Sequence, residues 1–105
     1  MTVAPPAADG AIVDEGVVGE YQLIYLLAQA LEDSDAFAVA QAWGGSRYVT
    51  WTVGRRACTR VRFATHSPEA DQVLAAALRF WSETRDAGVT VATIPVTLTA
   101  CHPAA

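Results

Sequence analysis

Apolar and polar positions along this chain follow two periods, one near 3.6 and one of 2. Residues 17–30, VVGEYQLIYLLAQA, begin a run in which Val17, Tyr21, Ile24, Ala28 and Leu31 fall on one helical face. Leu23, Leu26, Leu27 and Ala30 supply a second apolar face. A helix apolar around most of its circumference is either central in a core or covered by a partner. Its length, about 21 Å at 1.5 Å per residue, is too short to cross a membrane. The polar stretch LEDSDAF interrupts the pattern. Asp33 or Ser34 is placed to cap a second helix, with Asp35 at its positive end. Ala36, Phe37, Ala40 and Trp43 then share one face, and Gly44 suits the left-handed residue that ends a helix.

The period then changes to 2. In SRYVTWTV, Val49, Trp51 and Val53 point one way and Tyr48, Thr50 and Thr52 the other. After a GRR turn, ACTRVRFAT places Thr59, Val61 and Phe63 on one side and Cys58, Arg60 and Arg62 on the other, so the pair reads as a β-hairpin. A third helix follows. Ser67 caps it, Pro68 takes its first position, Glu69 and Asp71 favour its N-terminus, and Gly88 closes it. Ala70, Val73, Leu74, Ala77 and Trp81 form its buried stripe. The final segment, VTVATIPVTLTAC, is extended, with Ile94, Val96, Leu98 and Ala100 on one face and an edge position or a break expected at Pro95. Residues 1–16 read as a flexible or loosely docked tail, which leaves a single domain over 17–105. The predicted fold is α+β: a two-layer sandwich in the order ααββαβ, with a small, mostly antiparallel sheet and helices on one face.

Composition agrees with one packed domain. The chain has 105 residues, 52% hydrophobic and 17% charged, which excludes disorder for most of its length. The net charge of −4 argues against a nucleic-acid binder. The first residues lack a basic segment followed by an apolar run, so they do not form a signal peptide. They read instead as a linker, and the chain as a domain of something longer. The charges are segregated. Asp9, Asp14, Glu15, Glu20, Glu32, Asp33 and Asp35 precede any base, whereas residues 36–67 hold Arg47, Arg55, Arg56, Arg60 and Arg62 and no acid. The simplest use of this is internal, an acidic helical end lying near the basic hairpin. The sharper use is an interaction surface made of Arg47, Tyr48, Arg55, Arg60 and Arg62. Lysine is absent, and Arg-only, Ala-rich usage points to a GC-rich genome.

Little of the sequence suggests reaction chemistry. Gly44-Gly45 follow a helix and precede a strand, the reverse of a phosphate cradle, and face a helix's negative end. Trp43 and Trp51 read as core residues. Cys58, His66, Cys101 and His102 invite a zinc reading, but zinc ligands must converge within about 2.3 Å of the ion. Cys58 and His66 lie roughly 26 Å apart along one extended strand. A Cys-His nucleophile pair meets the same obstacle. No catalytic residues, metal or cofactor are therefore expected. Cys58 and Cys101 both alternate away from the aliphatic face. They are either two thiols of a cytosolic protein or one disulfide worth about 4 kcal/mol on the chain-entropy model, and the shared face favours the bridge. A bridge implies an oxidising compartment.

The string AWGGSRYVTW, a hairpin with one cysteine, a Ser-Pro-Glu helix start and a closing VTLTAC resemble a segment of exported actinobacterial proteins described as neutral zinc metallopeptidase-like or of unknown function. There the elements run G-W-G-G-D-x-Y, a hairpin cysteine, and L-x-x-C-D-P-G. Trp43, Gly44, Gly45, Tyr48, Cys58, Cys101 and Pro103 match. Ala42, Ser46 and His102 depart from the pattern, and the zinc-binding helix of such proteins is absent from this chain. The resemblance implies a non-catalytic exported domain, and it supports the disulfide. The leading expectation is an extracytoplasmic accessory domain that packs against another domain, another protein or a second copy. The alternative is a small-ligand module with an apolar cleft between the first helix and the sheet, lined by Tyr21, Tyr25 and Trp51.

Overall fold

A computed structural model describes residues 3–41, 43–84, 89–93 and 95–103. Its elements are β1 (Ala11–Gly16), α1 (Glu20–Leu27), α2 (Asp33–Ala40), β2 (Trp43–Val53), β3 (Arg56–Thr65), α3 (Pro68–Ser82), β4 (Val89–Thr93) and β5 (Val96–Pro103). The strands form one antiparallel sheet in the order β1-β2-β3-β5-β4. The α+β class is as expected, but the order ααββαβ is not. A strand precedes the helices, and the last extended segment folds as two strands instead of one.

Both departures have a physical cause. β1 lies within the stretch expected to be a tail, and nearly all of its residues are exposed. It forms by hydrogen-bonding to the edge of β2, with Ala11 opposite Thr52 and Gly16 opposite Tyr48. A strand held by ladder bonds and not by burial leaves no alternating signal. The split between β4 and β5 falls at Pro95, which cannot donate to a ladder. The Thr97 hydroxyl donates to the Pro95 carbonyl and helps close the turn.

The β2–β3 turn fixes the register of the sheet. Gly54 has φ +58°, a conformation that other residues rarely adopt, so Val53 pairs directly with Arg56 across a two-residue loop. Tyr48 then opposes Val61, and Trp51 opposes Cys58. Val61, Phe63, Val96 and Leu98 face the helices and form the main core with Leu23, Leu27, Ala36, Ala40, Leu74, Ala75, Leu78 and Trp81. All three described helices therefore cover one face of the sheet.

The helices are shorter than the periodicity suggests. α1 buries Leu23 and Leu27, the second of its two apolar faces, while Tyr21 and Tyr25 point to solvent. α2 buries Ala36 and Ala40 and leaves Phe37 exposed. It starts after Glu32 without a side-chain cap, and β2 begins at Trp43, before the glycine expected to end the helix. α3 follows the expected chemistry closely. The Ser67 hydroxyl accepts a 3.1 Å bond from the Ala70 amide, and Pro68 opens the helix. Its buried stripe is Leu74, Ala75, Ala77, Leu78 and Trp81, with Val73 exposed. The expected closing residue Gly88, and Ile94 of the final face, lie outside the described residues.

Candidate functional site

The second face of the sheet carries the chemistry. Trp51, Val49 and Cys58 are buried there as a small cluster, with Ala8 and Cys101 packed against it. A disulfide joins Cys58 to Cys101, which are directly opposed on β3 and β5 and 43 positions apart in sequence. Residues 7–10 lie over this face as a strap. The Arg60 guanidinium stacks 4.8 Å from the Trp51 ring centre. It donates to the Thr99 hydroxyl at 3.0 Å, the Ala7 carbonyl at 2.7 Å and the Asp9 carboxylate at 3.0 Å. The acid that answers the basic hairpin therefore comes from the strap and not from a helical end.

Two further arginines share this face. Arg47 of β2 and Arg62 of β3 are directly opposed. Like charges in that position repel. Both are partly buried, and the Nε–H of each is sequestered without an acceptor. Among the described residues the Arg60–Asp9 contact is the ion pair, and neither Arg47 nor Arg62 has one. Arg47 also borders a cavity of about 430 Å³, with Val3, Val17, Trp43, Gly44, Gly45 and Ser46. The Trp43 indole N–H is a third buried donor without an acceptor. The buried Ser46 hydroxyl donates its proton to the Val18 carbonyl and ties β2 to the approach to α1.

A second cavity, about 400 Å³, opens between α1 and the sheet. Val17, Val18, Leu26 and Val61 give it apolar walls, and Gln22, Tyr48, Thr50 and Thr59 bring polar groups. The Thr50 and Thr59 hydroxyls hydrogen-bond at 2.9 Å across the β2–β3 pair. The Tyr48 hydroxyl donates to Asp14 at 3.0 Å. That hydrogen bond, together with the carboxylate's charge, raises the Tyr48 phenol above its ordinary value.

The expected site residues divide between the two faces. Arg47, Arg60 and Arg62 come together on the strap-covered face, while Tyr48 sits on the helix face and Arg55 lies exposed in the hairpin turn. The expected cleft residues do not meet. Tyr21 is 85% exposed and Tyr25 74%, whereas Trp51 is 2% exposed on the opposite side of the sheet. The cause is the Gly54 turn, whose register sets Trp51 against Cys58. The residues that do line the cleft, Gln22, Leu26, Thr50 and Thr59, lacked any distinguishing sequence signal beyond their alternation. Among the described residues no cluster of three or more His, Cys, Asp or Glu side chains could hold a metal, and no helix is long and apolar enough to cross a membrane. No protein-family model matches the sequence, and no curated protein or solved structure matches it either.

Proposed function

We propose that this is a non-catalytic, extracytoplasmic accessory domain that docks onto another domain or protein through α1. The observation that carries the reading is the pair Tyr21 and Tyr25, four residues apart on one helix and both mostly exposed. Aromatic side chains supply large, rigid contact area and are enriched at interface cores. Phe37, exposed on the neighbouring α2, adds to the apolar character of the helical layer. The disulfide supports an oxidising compartment. The resemblance of Trp43, Gly44, Gly45, Tyr48, Cys58, Cys101 and Pro103 to exported actinobacterial proteins points the same way.

A photo-crosslinking side chain placed at Tyr21 tests this in the intact gene product. Capture of a protein partner from Tyr21 but not from Val53, at the far tip of the hairpin, is the expected result. Equal capture from both positions, or none from Tyr21, overturns the docking role.

The cavity between α1 and the sheet favours a second reading, a small-ligand module. Its volume and its mostly apolar walls with a few hydroxyls suit a small organic ligand. Filling it with Leu26→Trp would abolish binding of such a ligand and leave docking through Tyr21 unchanged.

A further inference from the structure

We infer that the cavity bordered by Val3, Val17 and Trp43–Arg47 binds a small organic carboxylate. Two buried groups that line it, the Trp43 indole N–H and the Arg47 Nε–H, lack a partner, as does the Nε–H of Arg62, which is paired opposite Arg47 on β3, and all three are donors. Neither indole nor guanidinium can accept a hydrogen bond, so these groups cannot satisfy one another. Leaving buried donors unmatched costs about 1–3 kcal/mol each. Such exceptions are rare in folded proteins and call for an explanation. The missing group is an acceptor. It is also an anion, because Arg47 and Arg62 face each other directly and neither has an ion pair among the described residues, in a chain whose net charge is −4.

Shape narrows the class further. A carboxylate presents two coplanar oxygens, which match the parallel donors of a guanidinium fork. The other walls, Val3, Val17 and the Trp43 ring, are apolar and suit a hydrocarbon body more than a fully hydrated inorganic anion. The volume of about 430 Å³ exceeds what a bare ion needs and lies in the range of small-ligand pockets. Arg60 on the same face already holds the Asp9 carboxylate, so the face is chemically suited to that group. This site meets the α1–sheet cleft at Val17 but shares no other lining residue with it, and its test does not depend on the α1 docking face.

The probe is hexanoate, titrated into the disulfide-bonded protein and followed by the side-chain N–H signals of Trp43 and the arginines in ¹H–¹⁵N spectra. A saturable shift of the Trp43 indole signal, assigned by Trp43→Phe, is expected. Arg47→Gln should weaken the apparent affinity about tenfold or more, the loss expected for one charge-assisted contact. Arg47→Lys should recover only part of it, and Arg55→Gln in the exposed turn should have no effect. Near-UV circular dichroism confirms that each variant retains its packing. If Arg47→Gln does not fold, Trp43→Phe and Arg62→Gln carry the same comparison. No saturable shift with hexanoate, wild-type affinity in Arg47→Gln or in Arg62→Gln, or a shift with inorganic phosphate alone overturns the assignment.

Discussion

Removing the Cys58–Cys101 bond is the perturbation whose size the structure fixes best. The cross-link closes a loop of 43 positions between two central strands, β3 and β5. Restricting the unfolded chain over a loop of that length is worth about 4 kcal/mol on the chain-entropy model. A domain of 105 residues has a total stability of about 5–15 kcal/mol, so the bond accounts for a large part of it. The cysteines are already opposed by the ladder, and Cys58 is buried beside Trp51 and Val49. Opening the bond therefore leaves the folded state largely in place and acts mainly on the unfolded one. Equilibrium urea unfolding of the oxidised protein and of the Cys58→Ala/Cys101→Ala variant measures the difference. With a denaturant slope of about 1–3 kcal/mol per molar, the midpoint should fall by about 1.3–4 M. A loss below about 1 kcal/mol would refute the loop-entropy reasoning. Finding two free thiols in denatured, unreduced protein would refute the bond itself, and the compartment inferred from it.

Other consequences are open to direct measurement. Ser67→Ala removes the cap of α3 and should cost about 1 kcal/mol in urea unfolding, with Ser67→Asp restoring most of it. Gly10→Ala should destabilise by about 1–3 kcal/mol, because a Cβ there would stand 2.6 Å from the Thr52 carbonyl oxygen and 2.8 Å from the Trp51 ring. An unchanged midpoint for Gly10→Ala would mean that the strap does not seat on Trp51 as described. Tyr48 holds its proton more firmly in the fold than in the unfolded chain, so its contribution is complete below the ordinary phenol pKa and is lost as pH rises through the elevated value. Phenolate absorbance should show Tyr48 titrating at lower pH in Asp14→Asn, and an unmoved titration would rule out Asp14 as the cause.

The α+β class, the hairpin and α3 were legible in the sequence because each rests on local chemistry. Alternation sorted Val61 and Phe63 from Cys58, Arg60 and Arg62, and the structure keeps that division. The cysteine pairing was open to two readings, and the shared strand face pointed to the one that the structure adopts. The Pro95 break and the Ser67 cap were equally local. The boundaries of α1 and α2 were not, since apolar residues on two faces gave no means of choosing which face is buried.

What the sequence determined by itself is the three helices, the β2–β3 hairpin and the two-sidedness of β3. Those follow from backbone stereochemistry and side-chain period, which act over a few residues. Only the tertiary structure decided which side of the sheet each β2 residue joins, because register depends on pairing across the Gly54 turn. That pairing moved Trp51 away from α1 and set Arg47 against Arg62. Residues 7–16 also join the sheet only in three dimensions, as a strap bonded to Arg60 of β3 and as the strand β1 at the edge of β2, through hydrogen bonds and an ion pair. Contacts of that kind join residues some fifty positions apart, a distance at which local periodicity carries no information.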